Sequence, residues 1–179
     1  MTKIIRSGVA GIALMAAMGM SSAAHADTAI ADATAEVLQP LNLELDNGAL
    51  DFGSIVVDGA DTLTLTPDNT MDCADKNVVC VGTTSVPVFS LSGTANKDIT
   101  ILLPTTDVNL VVEGGSSAVA RQVLTLNNFT TSTQVNNAPG VTLDGAGEAT
   151  FSVGGTLNIG ADQEPGIYEG SFTVEVEYQ

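Results

Sequence analysis

From Tyr168 onward the chain alternates without a break. Tyr168, Gly170, Phe172, Val174, Val176 and Tyr178 hold one set of positions; Glu169, Ser171, Thr173, Glu175 and Glu177 hold the other. Successive side chains of an extended strand point to opposite faces, so Gly170 to Tyr178 predicts a strand with one core face and one solvated, acidic face. A helix would scatter the same residues around its circumference. With Gln179 following, the strand is expected to close the fold. A terminal strand at a sheet edge is a natural place for another chain to pair.

The same period of two recurs along the rest of the chain, broken by turn residues. Val37 to Leu45 reads as a strand bent at Pro40, and Asp46-Asn47-Gly48 as a hairpin-type turn. Leu50 to Val57 is expected as the next strand, with Gly53 as a bulge. Further strands are expected over Thr62 to Thr66, Val78 to Val81, Val86 to Ser92, Ile99 to Leu103, Val108 to Val112, Val123 to Phe129 and Ala149 to Ile159. Gly114-Gly115-Ser116-Ser117 reads as a flexible turn. Asn136 to Gly140 and Asp144 to Gly147 read as punctuation in one long loop. Many short strands with no helical pattern predict an all-β domain, a mainly antiparallel sandwich of the immunoglobulin-like kind, without repeats or an internal domain boundary.

The start of the chain reads differently. Residues 1–26 hold Lys3 and Arg6, an apolar run of 13 residues from Gly8 to Met20, and Ala24-His25-Ala26. A charged start, a short apolar segment and a small-x-small site make an exported signal peptide. The run is shorter than the roughly 20 residues a membrane-crossing helix needs. Cleavage after Ala26 leaves 153 residues, read as an extension or first strand over 27–37 and a single domain over 38–179. It also leaves three bases, Lys76, Lys97 and Arg121, against 21 acids, a net charge of −18.

That balance excludes whole classes of function. Three scattered cations do not neutralise a nucleic-acid backbone, and a polyanion is not drawn to an anionic membrane surface. Without His or Trp after cleavage, the usual general base, metal ligand and stacking platform are missing. The charge does not imply disorder, since the chain is rich in Val, Leu, Ile and Thr.

Cys73 and Cys80, with six residues between them in an exported chain, are expected to form a disulfide closing a small acidic loop. A metal or redox pair would call for more ligands or a C-x-x-C spacing. Neither Lys76 nor Lys97 stands in a motif that would make it a base for a serine nucleophile, and among 21 acids some close pair carries no information. No enzyme and no cofactor are expected. Asp68, Asn69, Asp72, Asp75 and Asn77 offer oxygens to calcium but lack the spacing of an EF-hand loop, and read as a hydrophilic turn.

In the extension, Ala29, Ala31, Ala33, Ala35 and Val37 share one face, against Thr28, Ile30, Asp32, Thr34 and Glu36. This small-residue face suits either a strand donated to a neighbouring subunit or the protein's own first strand.

The closing G-x-Y-x-G-x-F-x-V-x-V-x-Y, Gly166 to Tyr178, resembles the C-terminal strand of chaperone–usher pilus subunits, including the penultimate tyrosine. Pro40-Leu41, Leu50-Asp51-Phe52-Gly53 and Val153-Gly154-Gly155-Thr156-Leu157 resemble a bacterial family of secreted proteins without assigned function, similar in layout to fimbrial subunits. The resemblance spans about Val37 to Tyr178. It implies an incomplete sandwich with a groove filled first by a periplasmic chaperone and then, at the usher, by the next subunit's N-terminal extension. Phe172, Val174, Val176 and Tyr178 would line or flank that groove, and the Ala29–Val37 face would be the donor. The expected role is a secreted subunit of a fimbria-like surface fibre, passing from periplasm to cell surface. The alternative is a monomeric, self-complemented binding or adhesin module, with loops 69–79 or 130–148 holding calcium or a glycan.

Overall fold

The computed structural model describes residues 27–179, so the expected signal peptide lies outside the described residues. The chain divides between Glu36 and Val37. On the first side, residues 27–36 form no strand or helix, and their side chains are exposed. On the second, Val37–Gln179 fold into an all-β sandwich.

Thirteen strands follow in order: β1 Asn42–Asn47, β2 Ser54–Val57, β3 Asp61–Leu65, β4 Val78–Val81, β5 Val88–Ser92, β6 Asp98–Leu102, β7 Val108–Val112, β8 Val123–Thr131, β9 Gln134–Val135, β10 Ala138–Thr142, β11 Glu148–Ile159, β12 Tyr168–Glu169 and β13 Glu175–Tyr178. A 3-10 turn, Ala120–Gln122, precedes β8. The large sheet runs β1-β5-β11-β8-β7-β12, with β3 also on β11. A four-stranded sheet runs β13-β6-β10-β9, and β2 and β4 make a separate ribbon. Every pairing between these strands is antiparallel.

β11 is the axis of the domain. Its 148–152 half pairs with β5, and its 153–159 half lies between β3 and β8. Phe151, Val153, Leu157 and Ile159 are buried at alternate positions, as a period of two requires. Gly154 lets β3 pass closely: a Cβ there would collide with the Leu65 carbonyl oxygen and lie 2.7 Å from the Pro67 nitrogen. Opposite, β8 takes one extra residue where its register shifts, beside Asn128 at φ 48°. That is a bulge, at a residue type that tolerates the left-handed region.

Two groups of buried side chains form the core. One gathers Phe52, Leu63, Leu65, Val78, Leu124, Leu126, Leu157 and Ile159 beneath the β2–β4 ribbon. The other gathers Leu91, Ile99, Ile101, Val141, Leu143, Phe151 and Val153 beneath the four-stranded sheet. Phe129 and Phe172 pack against both, with ring centroids 4.8 Å apart.

Several sequence expectations need correction. Val37 to Leu41 is not strand: β1 begins at Asn42, beyond Pro40, which has no N–H to give a ladder. Asp46-Asn47-Gly48 turns the chain at Gly48 (φ 79°), but β1 and β2 are not a hairpin, since β1 pairs with β5 and β2 with β4. Gly53 (φ 72°) precedes β2 rather than bulging within it. The long loop expected over 130–148 contains a hairpin: β9 and β10 pair around Asn136 and Asn137, both at positive φ (52° and 64°). This is the two-residue geometry that matches strand twist. The expected strand from Gly170 to Tyr178 is also divided. β12 belongs to the large sheet, β13 to the small one, and residues 170–174 cross between them outside any ladder.

Candidate functional site

The crossover places β13 at an outer edge of the four-stranded sheet. β13 pairs with β6 in the register Glu175–Leu102, Val176–Ile101, Glu177–Thr100 and Tyr178–Ile99, and is the last strand of its sheet. Among the described residues its other side joins no ladder. The Gln179 amide donates to the Asp98 carbonyl at 3.0 Å, continuing that register. Antiparallel pairing alternates, so the amides of Glu175 and Glu177 face β6 and those of Val176 and Tyr178 point to the open edge. An edge of this kind is a template for another strand.

The inward face of the same segment is apolar and incompletely covered. Phe172, Val174, Val176 and Tyr178 all pack against the second core group, yet each is only half-buried. Leu41 and Leu43, at the start of the domain, pack against that group and are also half-buried. The four residues expected to line a pairing surface therefore lie on one face, two in β13 and two in the crossover.

Tyr178 latches this edge. Its hydroxyl accepts from the Thr94 amide at 2.8 Å and donates to the Gln39 carbonyl at 2.7 Å. Gly93 makes room for it, since a Cβ there would stand 2.6 Å from the tyrosine oxygen and 2.7 Å from Leu41 Cδ2. Alternation in the sequence places the Tyr178 ring but not its hydroxyl contacts, because nothing local marks Gln39 and Thr94 as partners. Tyr178→Phe leaves an amide and a carbonyl without partners and is expected to destabilise by about 1–2 kcal/mol, read as a lower denaturant midpoint at unchanged slope.

The outward face is acidic. Glu175 and Glu177 are exposed, and the register places Leu102, Thr100 and, one step further, Asp98 on the same side. Lys76 and Arg121 are engaged elsewhere: Lys76 lies 3.4 Å from Asp61, and Arg121 lies 3.5 Å from Glu164.

The other candidate residues lie elsewhere. Cys73 and Cys80 are joined, with Cα atoms 6.1 Å apart, and Cys80 sits in β4 opposite Ile55. The polar residues of the disulfide loop serve turns. Asp72 accepts from the Ala74 amide, Asn69 exchanges hydrogen bonds with Thr84, and the Asn77 amide donates to Asp61. The Asn77 and Thr62 amides, with Lys76 beside them, hold the Asp61 carboxyl below its ordinary range. The Glu148 and Ala146 amides do the same for Asp144, which folds the 144–147 turn around itself. Among the described residues no three His, Cys, Asp or Glu side chains come together as a metal-holding group. Ala29, Ala31, Ala33, Ala35 and Val37 are exposed and belong to no strand.

Fold and site thus define an all-β sandwich whose C-terminal strand is an open, acid-faced edge. The chain belongs to the family described as domain of unknown function DUF4402, matched over residues 43–178, from β1 to the latching tyrosine. No curated protein and no solved structure matches it.

Proposed function

We propose that this chain is a non-catalytic, secreted structural subunit of a fimbria-like surface fibre, assembled by strand addition at residues 171–178. The observation that carries the reading is the edge itself. A half-covered apolar face and two amides pointing to the open edge, those of Val176 and Tyr178, occur on one segment. An incoming strand gains backbone hydrogen bonds from the amides and side-chain burial from Phe172, Val174 and Val176. Residues 27–37 supply the candidate donor within a fibre, with Ala29, Ala31, Ala33, Ala35 and Val37 turned inward. The resemblance of the closing segment to pilus subunits adds a periplasmic chaperone and an usher as partners and the cell surface as destination.

The test is chain purified from a periplasm with and without residues 27–37, run on size-exclusion columns and on unheated denaturing gels. The reading expects a ladder of oligomers that only boiling collapses and that disappears with the deletion. A single monomer in both preparations would sink it.

A further inference from the structure

We infer that the edge at residues 171–178 selects its strand by charge, an inference that rests on that edge accepting a strand at all. The favoured occupant is an extended segment of a different chain, apolar on its inward positions and basic on its outward ones.

In antiparallel pairing, directly opposed side chains point to the same face of the sheet. Inward residues of an added strand would therefore stand opposite Val176 and Tyr178, and outward residues opposite Glu175 and Glu177. Both glutamates are exposed, Lys76 and Arg121 pair with Asp61 and Glu164 instead, and Asp98 lies on the same face. An added strand at this edge therefore meets the carboxylates of Glu175 and Glu177, with Asp98, which accepts from the Thr142 hydroxyl at 2.6 Å, one step further along.

This chain's own leader is a poor match for that row. With its alanines turned inward, its outward residues are Thr28, Ile30, Asp32, Thr34 and Glu36. Two more carboxylates would then join Glu175 and Glu177 on one face, and like charges opposed across strands repel. Turning the leader over would put Asp32 and Glu36 against the apolar side, which is worse. Lysine or arginine at the same two positions would turn repulsion into attraction. The edge therefore takes a basic-faced strand from another protein more tightly than the chain's own leader, which remains the weaker donor at the same edge.

The experiment uses the chain purified from the periplasm and three fluorescent peptides: residues 27–37 as they stand, the same peptide with Asp32→Lys and Glu36→Lys, and a scrambled peptide of identical composition to the second. Binding is read by anisotropy, and its location by hydrogen exchange of residues 171–178. The expected result is that the lysine peptide binds about tenfold more tightly than the native one. That gap should close with Glu175→Gln/Glu177→Gln, and the scrambled peptide should give no protection. Exposed glutamines leave the core untouched, so this variant tests charge rather than folding. If native and lysine peptides bind equally, or the gap survives the double substitution, charge selection is overturned while strand acceptance stands. If no peptide protects residues 171–178, strand acceptance falls and charge selection falls with it.

Discussion

Gly154→Ala is expected to lower the stability of the domain by about 3 kcal/mol, the upper part of the range for forcing atoms into a filled interior. The reason is backbone, not side chain. A Cβ at this position collides with the Leu65 carbonyl and stands 2.7 Å from the Pro67 nitrogen and 2.8 Å from the Thr66 carbonyl carbon. None of these can rotate away, so β3 must separate from β11, and Leu63 and Leu65, both fully buried, must move with it. The neighbouring glycine is the control. At Gly155 a Cβ meets the Leu126 Cδ1 methyl at 3.2 Å, which a flexible side chain can accommodate. Gly155→Ala should change stability by less than about 1 kcal/mol, helped by the lower entropy of the unfolded alanine chain. Urea unfolding of the two variants checks this; equal losses would mean that β3 does not lie against Gly154 as described.

Removing the disulfide with Cys73→Ser/Cys80→Ser is expected to lower stability by about 2.5 kcal/mol, from the closure entropy of a loop of this size. The loss should be concentrated locally. β2 and β4 form a two-stranded ribbon, a unit of marginal stability on its own. Its outer face leaves Val56, Val79 and Val81 more than half exposed, so burial holds it from one side only. Hydrogen exchange in the double variant should therefore rise most over 54–81, with β11 and β8 little changed. Uniform acceleration across the sandwich would show that the bridge supports the whole fold rather than the ribbon.

The physics that makes some of this fold legible in sequence also explains what stays hidden. β3, β6, β7, β8 and β11 carry clean period-two patterns because one face of each is buried, and all are readable to within a few residues. The β9–β10 hairpin is masked because Pro139 and Gly140 read as breakers; the informative pair is Asn136-Asn137, whose side chains tolerate the left-handed turn. The closing segment shows the deeper limit. Tyr168 to Tyr178 keeps one alternation throughout, yet its two ends join different sheets. Alternation reports which face is covered and says nothing about which strand supplies the hydrogen bonds. The four apolar residues of the candidate site are therefore legible from their spacing, whereas the open backbone edge and the Tyr178 latch depend on partners distant in sequence, such as Gln39 and Thr94. The leader's role is not legible for a related reason: an alanine-faced stretch gains little from any one pocket, so its sequence favours no particular groove.

On the proposed reading, the C-terminal edge is open in the single chain and closed by a strand from outside. Residue-resolved hydrogen exchange tests this most directly, comparing isolated monomer with any boiling-sensitive oligomer from the same preparation. The Val176 and Tyr178 amides should exchange quickly in the monomer and become strongly protected in the oligomer, while the Gln179 amide, already bonded to Asp98, changes little. Val176 and Tyr178 amides already protected in the monomer, or still unprotected in the oligomer, would contradict it.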